Sequence, residues 1–521
     1  MRMLKVLALG LLVALTLVPM AGAQGGTWVS SFNVINLSND EATVEITFYD
    51  EAGEDYTPAC LGWSGTPAHC DLTNPFTLAG GAKKEINLPT LAAADLPDGR
   101  YSVVISADQP VAAISSLLGD DGGKFYAASY TGMEDLAQTK MYLPGVMWSF
   151  YAWYSHFSIQ NLTGATQNVD IYIYDEGLNT VCWSELDHAI PPYSSYHLDL
   201  EAKNLAACDK IPDWDSDGVA YNGSAKIEGE APIAVIDNQT TKPTECSGCH
   251  LEQAYNGVAS GTAEVYLPDL YRGFASGYIQ PPGWNSSINI QNVGAASVAV
   301  TVTLFSSPAV VVTKNLPANA GWLIYLPVDV PTLPTKMWET YGAKIESDGE
   351  IVALANAATP FARSQAMTYS GIASGGAKVA VPVLWHEYYG WNTSLVIQNL
   401  GNDDLIPHIC YSPNANPYGT PWGGACYDLP AAYKIPQGAS RMIYQGDGEM
   451  YLCLGTGGTW NPTSHTCTGG QTIPTTYLGG ATVTIASGSG PIAAVANATH
   501  DKNQATPGKG DWSMSYNGIN P

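Results

Sequence analysis

Charge is what this sequence has least of. Only 13% of its residues are Asp, Glu, Lys or Arg, about half the share usual in soluble domains. The 21 basic residues are outnumbered by 47 acidic ones. That balance repels polyanions, which excludes nucleic acid and anionic lipid as partners and favours divalent cations. Beyond the N-terminus no apolar run approaches the ~20 residues of a membrane span. Helical periodicity is also missing, which argues against an α/β enzyme core. There is no GxSxG elbow, HExxH helix, phosphate-cradling loop or dinucleotide fingerprint. No catalytic residue is assigned, and the chain reads as a non-enzyme.

The one long apolar run has the three parts of a secretory signal peptide. In MRMLKVLALGLLVALTLVPMAGAQGG, Arg2 and Lys5 form the positive end, Leu7 to Val18 the apolar core, and Ala21-Gly22-Ala23 the cleavage site. Residues 1–23 would be removed, leaving Gln24 first and no cysteine for a lipid anchor. Losing two cations leaves 19 basic against 47 acidic residues, a net −28. The expected product is secreted, either extracellular or at the cell surface. With so little charge, its surface must be covered by Gly, Ser, Thr, Asn and many of the 30 tyrosines.

What the sequence does have is repetition. WVSSFNVIN, WYSHFSIQN, WNSSINIQN and WNTSLVIQN open on Trp28, Trp153, Trp284 and Trp391 and close on Asn36, Asn161, Asn292 and Asn399. Each alternates polar and apolar residues like a half-buried strand. A second landmark follows each time, as YSVVISADQPVAAI, SAKIEGEAPIAVI, AKIESDGEIVALA and ATVTIASGSGPIAAVA, and reads as two strands joined by a tight turn. A third closes each unit as YTG, YNG, YSG and YNG at Tyr130, Tyr255, Tyr369 and Tyr516. Three markers recurring in one order establish a four-repeat chain.

The third unit shows seven or eight short strands in about 115 residues, the pattern of an antiparallel sandwich. The expected fold is all-β: four tandem antiparallel β-sandwich domains after the signal peptide, at 24–140, 141–264, 265–378 and 379–521, arranged as beads on a string. The run VYLP…GWNSSINIQNVGAASVAVTVTLF…LP…GAKIES…IVALAN resembles the tandem immunoglobulin-like repeats of bacterial secreted and cell-surface proteins. That resemblance implies a structural, scaffold or adhesive role and supplies no catalytic residues. Other surface proteins, glycans or further copies of the chain are the implied partners.

Ten cysteines in an exported chain predict disulfides. Near neighbours pair as Cys60–Cys70, Cys182–Cys208, Cys410–Cys426 and Cys453–Cys467, which leaves Cys246–Cys249. That last pair sits in ECSGCH, whose spacing also suits covalent c-type haem with His250 as iron ligand. The segment falls on a polar connection between strands, without an apolar pocket, so the loop disulfide is preferred and haem is the alternative. In DWDSDG, Asp213, Asp215 and Asp217 precede Gly218 as in a calcium loop, although Ser224 occupies the position of the usual glutamate. An acidic, solvated turn is the plainer reading.

Aromatic segments such as VMWSFYAWYSH and LWHEYYGW lie before the landmark tryptophans. They suggest core packing or, alternatively, a carbohydrate-binding array engaging glycans through Trp148 and Trp385. The acceptor patterns at Asn161 and Asn285 matter only in a glycosylating host. Finally, the strand containing MYLPGV, VYLPDL or VAVPVL occurs three times for four units. One terminal unit should therefore present an open sheet edge, capped locally or by a different partner.

Overall fold

The computed structural model describes residues 12–17, 27–64, 69–88, 91, 96–133, 138–205, 207–208, 220–246, 249–274, 283–336, 339–360, 365–416, 418–446, 449–462, 464, 466–500, 511 and 513–520. The chain is all-β, and its sheets are antiparallel. In the second unit one sheet runs Lys140–Trp148, Tyr221–Gly229, Gln167–Tyr174, Val181–Ile190. The sheet packed on it runs Ser195–Asp199, Trp153–Asn161, Ile233–Thr241, Glu252–Asn256. The first and fourth units repeat both orders. In the third, the 18-residue strand Tyr341–Ala358 serves both layers and joins them into one sheet.

Each landmark residue has a structural task. The closing asparagines are buried and turn their amides onto loop carbonyls. Asn161 Nδ2 donates to Ala165 O (2.7 Å) and Ile190 O (3.0 Å), and Asn292 Nδ2 to Ala296 O (2.7 Å) and Leu316 O (3.0 Å). Their Oδ1 atoms accept the backbone N–H two residues on, at 2.9 Å in all four units. One buried side chain thus satisfies the main chain of a turn that would otherwise be left unpaired. Asn161 is wholly buried, so its glycosylation pattern is closed in the folded chain. Two residues after the tryptophan, the hydroxyls of Ser155, Ser286 and Thr393 accept from the backbone of Met147, Tyr271 and Trp385 at 2.9–3.0 Å, tying the two sheets together.

Alternation predicts half-buried tryptophan strands, but Trp153–Asn161 and Trp391–Asn399 are buried on both faces. The apolar face meets the strand's own partner sheet. The other, carrying Tyr154, His156, Ser158 and Gln160 in the second unit, is buried as well, against Glu245, Asp199, His197 and Tyr193.

The main point at which the units pack on one another recurs at one register position. Opposite or beside the tryptophan strand, Ile114, Ile236, Leu354 and Val495 hold equivalent places in the second landmark. Each is at most 2% exposed, and each lies in the hydrophobic core of the preceding unit rather than its own. Ile236 enters the first unit's core, Leu354 the second's and Val495 the third's. Ile114 closes the cycle by entering the fourth unit's core together with Ile35. Polar contacts follow the same sense: Gln291 Nε2 reaches Ala225 O, Gln398 Nε2 reaches Ala343 O (3.1 Å), and Lys83 Nζ reaches Gly479 O (3.0 Å). The beads-on-a-string arrangement is therefore corrected. The units form a closed ring because each core is completed by its neighbour.

The first unit differs in one strand. Leu12–Leu17, from the leader-like segment, pairs with Tyr101–Ala107 in the place that Lys140–Trp148, Thr262–Leu270 and Lys378–His386 hold elsewhere.

Truncating one plug should weaken two units at once. Leu354→Ala is expected to cost ~2–5 kcal/mol, the usual range for buried leucine. Amide exchange should accelerate in both Trp153–Asn161 and Trp284–Asn292. Acceleration confined to the second strand would contradict the shared core.

Candidate functional site: an axial column of polar side chains

The closing strands Lys124–Thr131, Glu252–Asn256, Ala366–Ser370 and Ser513–Asn517 stand around a common axis, each against the next and the last against the first. Residues flanking each landmark tyrosine face that axis and bond around it in one direction. Ser129 Oγ donates to Ser515 O (2.9 Å), and Ser515 Oγ to Thr368 O (2.7 Å). One step along, Asn517 Nδ2 donates to Ser370 O (2.8 Å), Ser370 Oγ to Asn256 O (3.0 Å) and Asn256 Nδ2 to Thr131 O. Every unit thus donates to the one before it, including the first to the fourth. Beyond this ring the column opens into a cavity of about 290 Å³ rimmed by Thr131, Asn256, Ser370 and Asn517.

The YxG landmark is spent on this assembly. The tyrosine clamps the proline-containing strand of its own unit, with Tyr255 OH donating to Gly145 O (3.2 Å) and Tyr369 OH to Asp269 O (2.9 Å). The glycine lets that strand close in, since a Cβ at Gly371 would stand 2.3 Å from Val265 and one at Gly518 2.6 Å from Val379.

Deeper in the column lies a group the sequence did not single out. Asp511 Oδ2 accepts the backbone N–H of Glu252 and of Ala366, each at 3.1 Å, and Oδ1 accepts Ser513 Oγ at 2.6 Å. One carboxyl thereby joins three units. Burial pushes Asp511 and Glu252 well above the ordinary carboxylate range, and their mutual proximity adds to the rise at Glu252. Asp237 is the same kind of group: it accepts Ser155 Oγ and Gln239 Nε2, both at 2.9 Å, and burial pushes it up to about 8. A scattered aspartate gives no sequence signal of this, because the partners that bury it, Glu252 and Ala366 for Asp511 and Ser155 for Asp237, are distant in the chain.

The candidates named from the sequence are dispersed rather than gathered into one site. Cys246 and Cys249 are bonded to each other and buried against Ala152, so the sulfurs that haem attachment would use are joined. His250 Nδ1 lies 2.5 Å from Tyr126 OH across the seam between the first two units. Burial, with Lys124 nearby, lowers its pKa against the opposing pull of Asp121. Asp213, Asp215 and Asp217 lie outside the described residues. Cys60–Cys70, Cys182–Cys208, Cys410–Cys426 and Cys453–Cys467 are also bonded, with Cα separations of 4.0 to 5.8 Å. Cys410 and Cys426 bridge directly opposed residues of a strand pair. His408 lies beside that bridge, but the sulfurs are consumed in it and do not ligate. Trp385 is buried, as are Trp153, Trp284 and Trp391, Trp148 is half-buried, and among the described residues the exposed aromatics are tyrosines. Tyr151 and Tyr389 occupy equivalent tight turns in units two and four with φ of 51° and 50°, and they are 48% and 78% exposed. A serine–histidine contact, Ser158 Oγ to His197 Nδ1 at 3.0 Å, has its serine buried.

No family model matches the chain, and no curated protein matches it. Among solved structures it is similar to the crystal structure of Thermotoga maritima 1070, at 19% identity over 22% of this chain and 94% of that one, with a TM-score of 0.17. It is also similar to the crystal structure of a tetra-tandem repeat in the extending region of a large adhesion protein, at 11% identity over 98% of both chains, with a TM-score of 0.10.

The buried acid makes a pH prediction. Asp237 titrates near ~3.9 when unfolded and at about 8 when folded. Its proton is therefore held more tightly by the folded state, and the stability this contributes is complete below ~3.9 and lost as pH rises through about 8. Relative to Asp237→Asn, the parent chain should lose melting temperature between pH 5 and pH 9. Parallel curves for the two proteins would show that the group does not titrate.

Proposed function

We propose that the chain is an exported, non-catalytic structural or adhesive protein of four immunoglobulin-like β-sandwich repeats. It would act at the cell surface or in the extracellular matrix through contacts with other surface proteins. One observation carries this reading. The repeated residues are spent on building the ring, whereas the features that differ between units are disulfide-stapled hairpins and turns. The hairpin Cys60–Ser64/His69–Thr73 and the helix-and-hairpin segment from Met450 to Thr468 are examples. Rigid presentation of variable loops suits recognition better than turnover. Calcium at Asp213, Asp215 and Asp217 would serve the same end by stiffening a loop.

The test is surface binding. Fluorescently labelled mature chain should bind saturably to producing cells from which the native protein has been stripped. Absence of saturable binding would sink the adhesive reading. A second reading, glycan recognition, is favoured by Tyr151 and Tyr389, held outward in left-handed backbone where a flat ring can stack on sugar. If it holds, Tyr389→Ala should reduce a signal on a glycan array by about fivefold or more, since a stacked ring is worth ~1 kcal/mol or more. Silence of the parent chain on a broad array would retire it.

A further inference from the structure

Units two, three and four each complete one sheet with a strand that breaks register at its proline. The break falls between Leu143 and Val146, between Leu267 and Leu270, and between Val381 and Leu384. The landmark tyrosine grips the bulge: Tyr369 OH also accepts Asp269 N–H at 2.9 Å, and Tyr516 OH accepts Val383 N–H at 3.1 Å. Leu143, Leu267 and Val381 are wholly buried, so these strands are part of the cores.

Unit one has the tyrosine, buried Tyr130, but among the described residues no proline-containing strand fills that place, Val18-Pro19 lying outside them. Leu12–Leu17 takes the place instead. Leu12 lies opposite Ser106 and Leu15 opposite Val103. Counted back from the residue paired with the closing asparagine, Val111 or Ile233, these are the positions where Lys140 meets Glu228 and Leu143 meets Ala225. The leader strand then runs straight on to Tyr101 without a bulge.

We propose that removal of the leader turns unit one into a strand acceptor. Its occupant in the mature protein is an extended segment of a different polypeptide, with alternating apolar residues and a Leu-Pro or Val-Pro step. Such a segment would pair its backbone with Tyr101–Ala107 and set its leucine into the core of unit one, which Ile236 of unit two also enters. A second copy is a poor donor, because its three proline-step strands already fill its own units. An edge left bare would be an aggregation hazard. The inference rests on the export reading, and N-terminal sequencing of the exported chain tests that reading separately.

The probe is the synthetic nonapeptide KMYLPGVMW, the sequence of Lys140–Trp148. It is added to chain 24–521 or, should that not fold alone, to the full chain folded and then cut after Ala23. The expected result is saturable one-to-one binding that slows amide exchange in Tyr101–Ala107, with no binding to the uncut chain. Replacing the peptide's leucine by aspartate should weaken binding at least about tenfold, given the worth of burying one leucine. Failure of the peptide to bind overturns the proposal. So does a mature chain that dimerises with Tyr101–Ala107 protected, which would make a second copy the occupant. An exported chain that still carries Leu12–Leu17 would show that the slot never opens.

Discussion

The structure depends on one aliphatic side chain per unit being buried in the wrong core. Ile114, Ile236, Leu354 and Val495 leave their own sandwich-like unit and complete the preceding one. A buried side chain of this size is worth ~1.5–3 kcal/mol, a large share of the marginal stability of a small domain. No unit therefore reaches its full core alone, and the arrangement is satisfied only when the last unit meets the first. Ile114 in the fourth unit's core meets that condition.

Closure also explains the burial of so many polar groups. Where the second face of a tryptophan strand is covered, as in units two and four, its Ser, Gln, Asn and His side chains lose water and must find partners within the protein. Some find them across seams, as Gln398 does on Ala343 O and Gln291 on Ala225 O. Carboxyls caught in the same region, such as Asp511, stay hydrogen-bonded and hold their protons to higher pH. Such a network favours one register and one partner order over a disordered collapse of similar units.

Much of this is legible in the sequence, and the remainder is not for a physical reason. Period-two alternation and recurrent Trp, Asn and Tyr-x-Gly mark the strands and their repeat, because local burial writes itself into local pattern. The pattern cannot say whose core a residue enters: Leu354 in IVALA looks like any inward-facing leucine. Low charge suggests a surface suited to outside contacts, whereas a good part of it is consumed between units. The loop bearing Asp213, Asp215 and Asp217 falls outside the described residues. The strand count does point to something real, since in unit one the place of the proline-step strand is held by Leu12–Leu17.

The central claim is that the four units close on themselves. Small-angle X-ray scattering of the chain in dilute solution tests it most directly. A closed ring of about 500 residues should give a radius of gyration of about 23 Å, as expected for a single compact body of that size, with a distance distribution that falls to zero smoothly. An elongated particle, with a radius of gyration about twice that value and a distribution showing separate maxima for successive units, would contradict it.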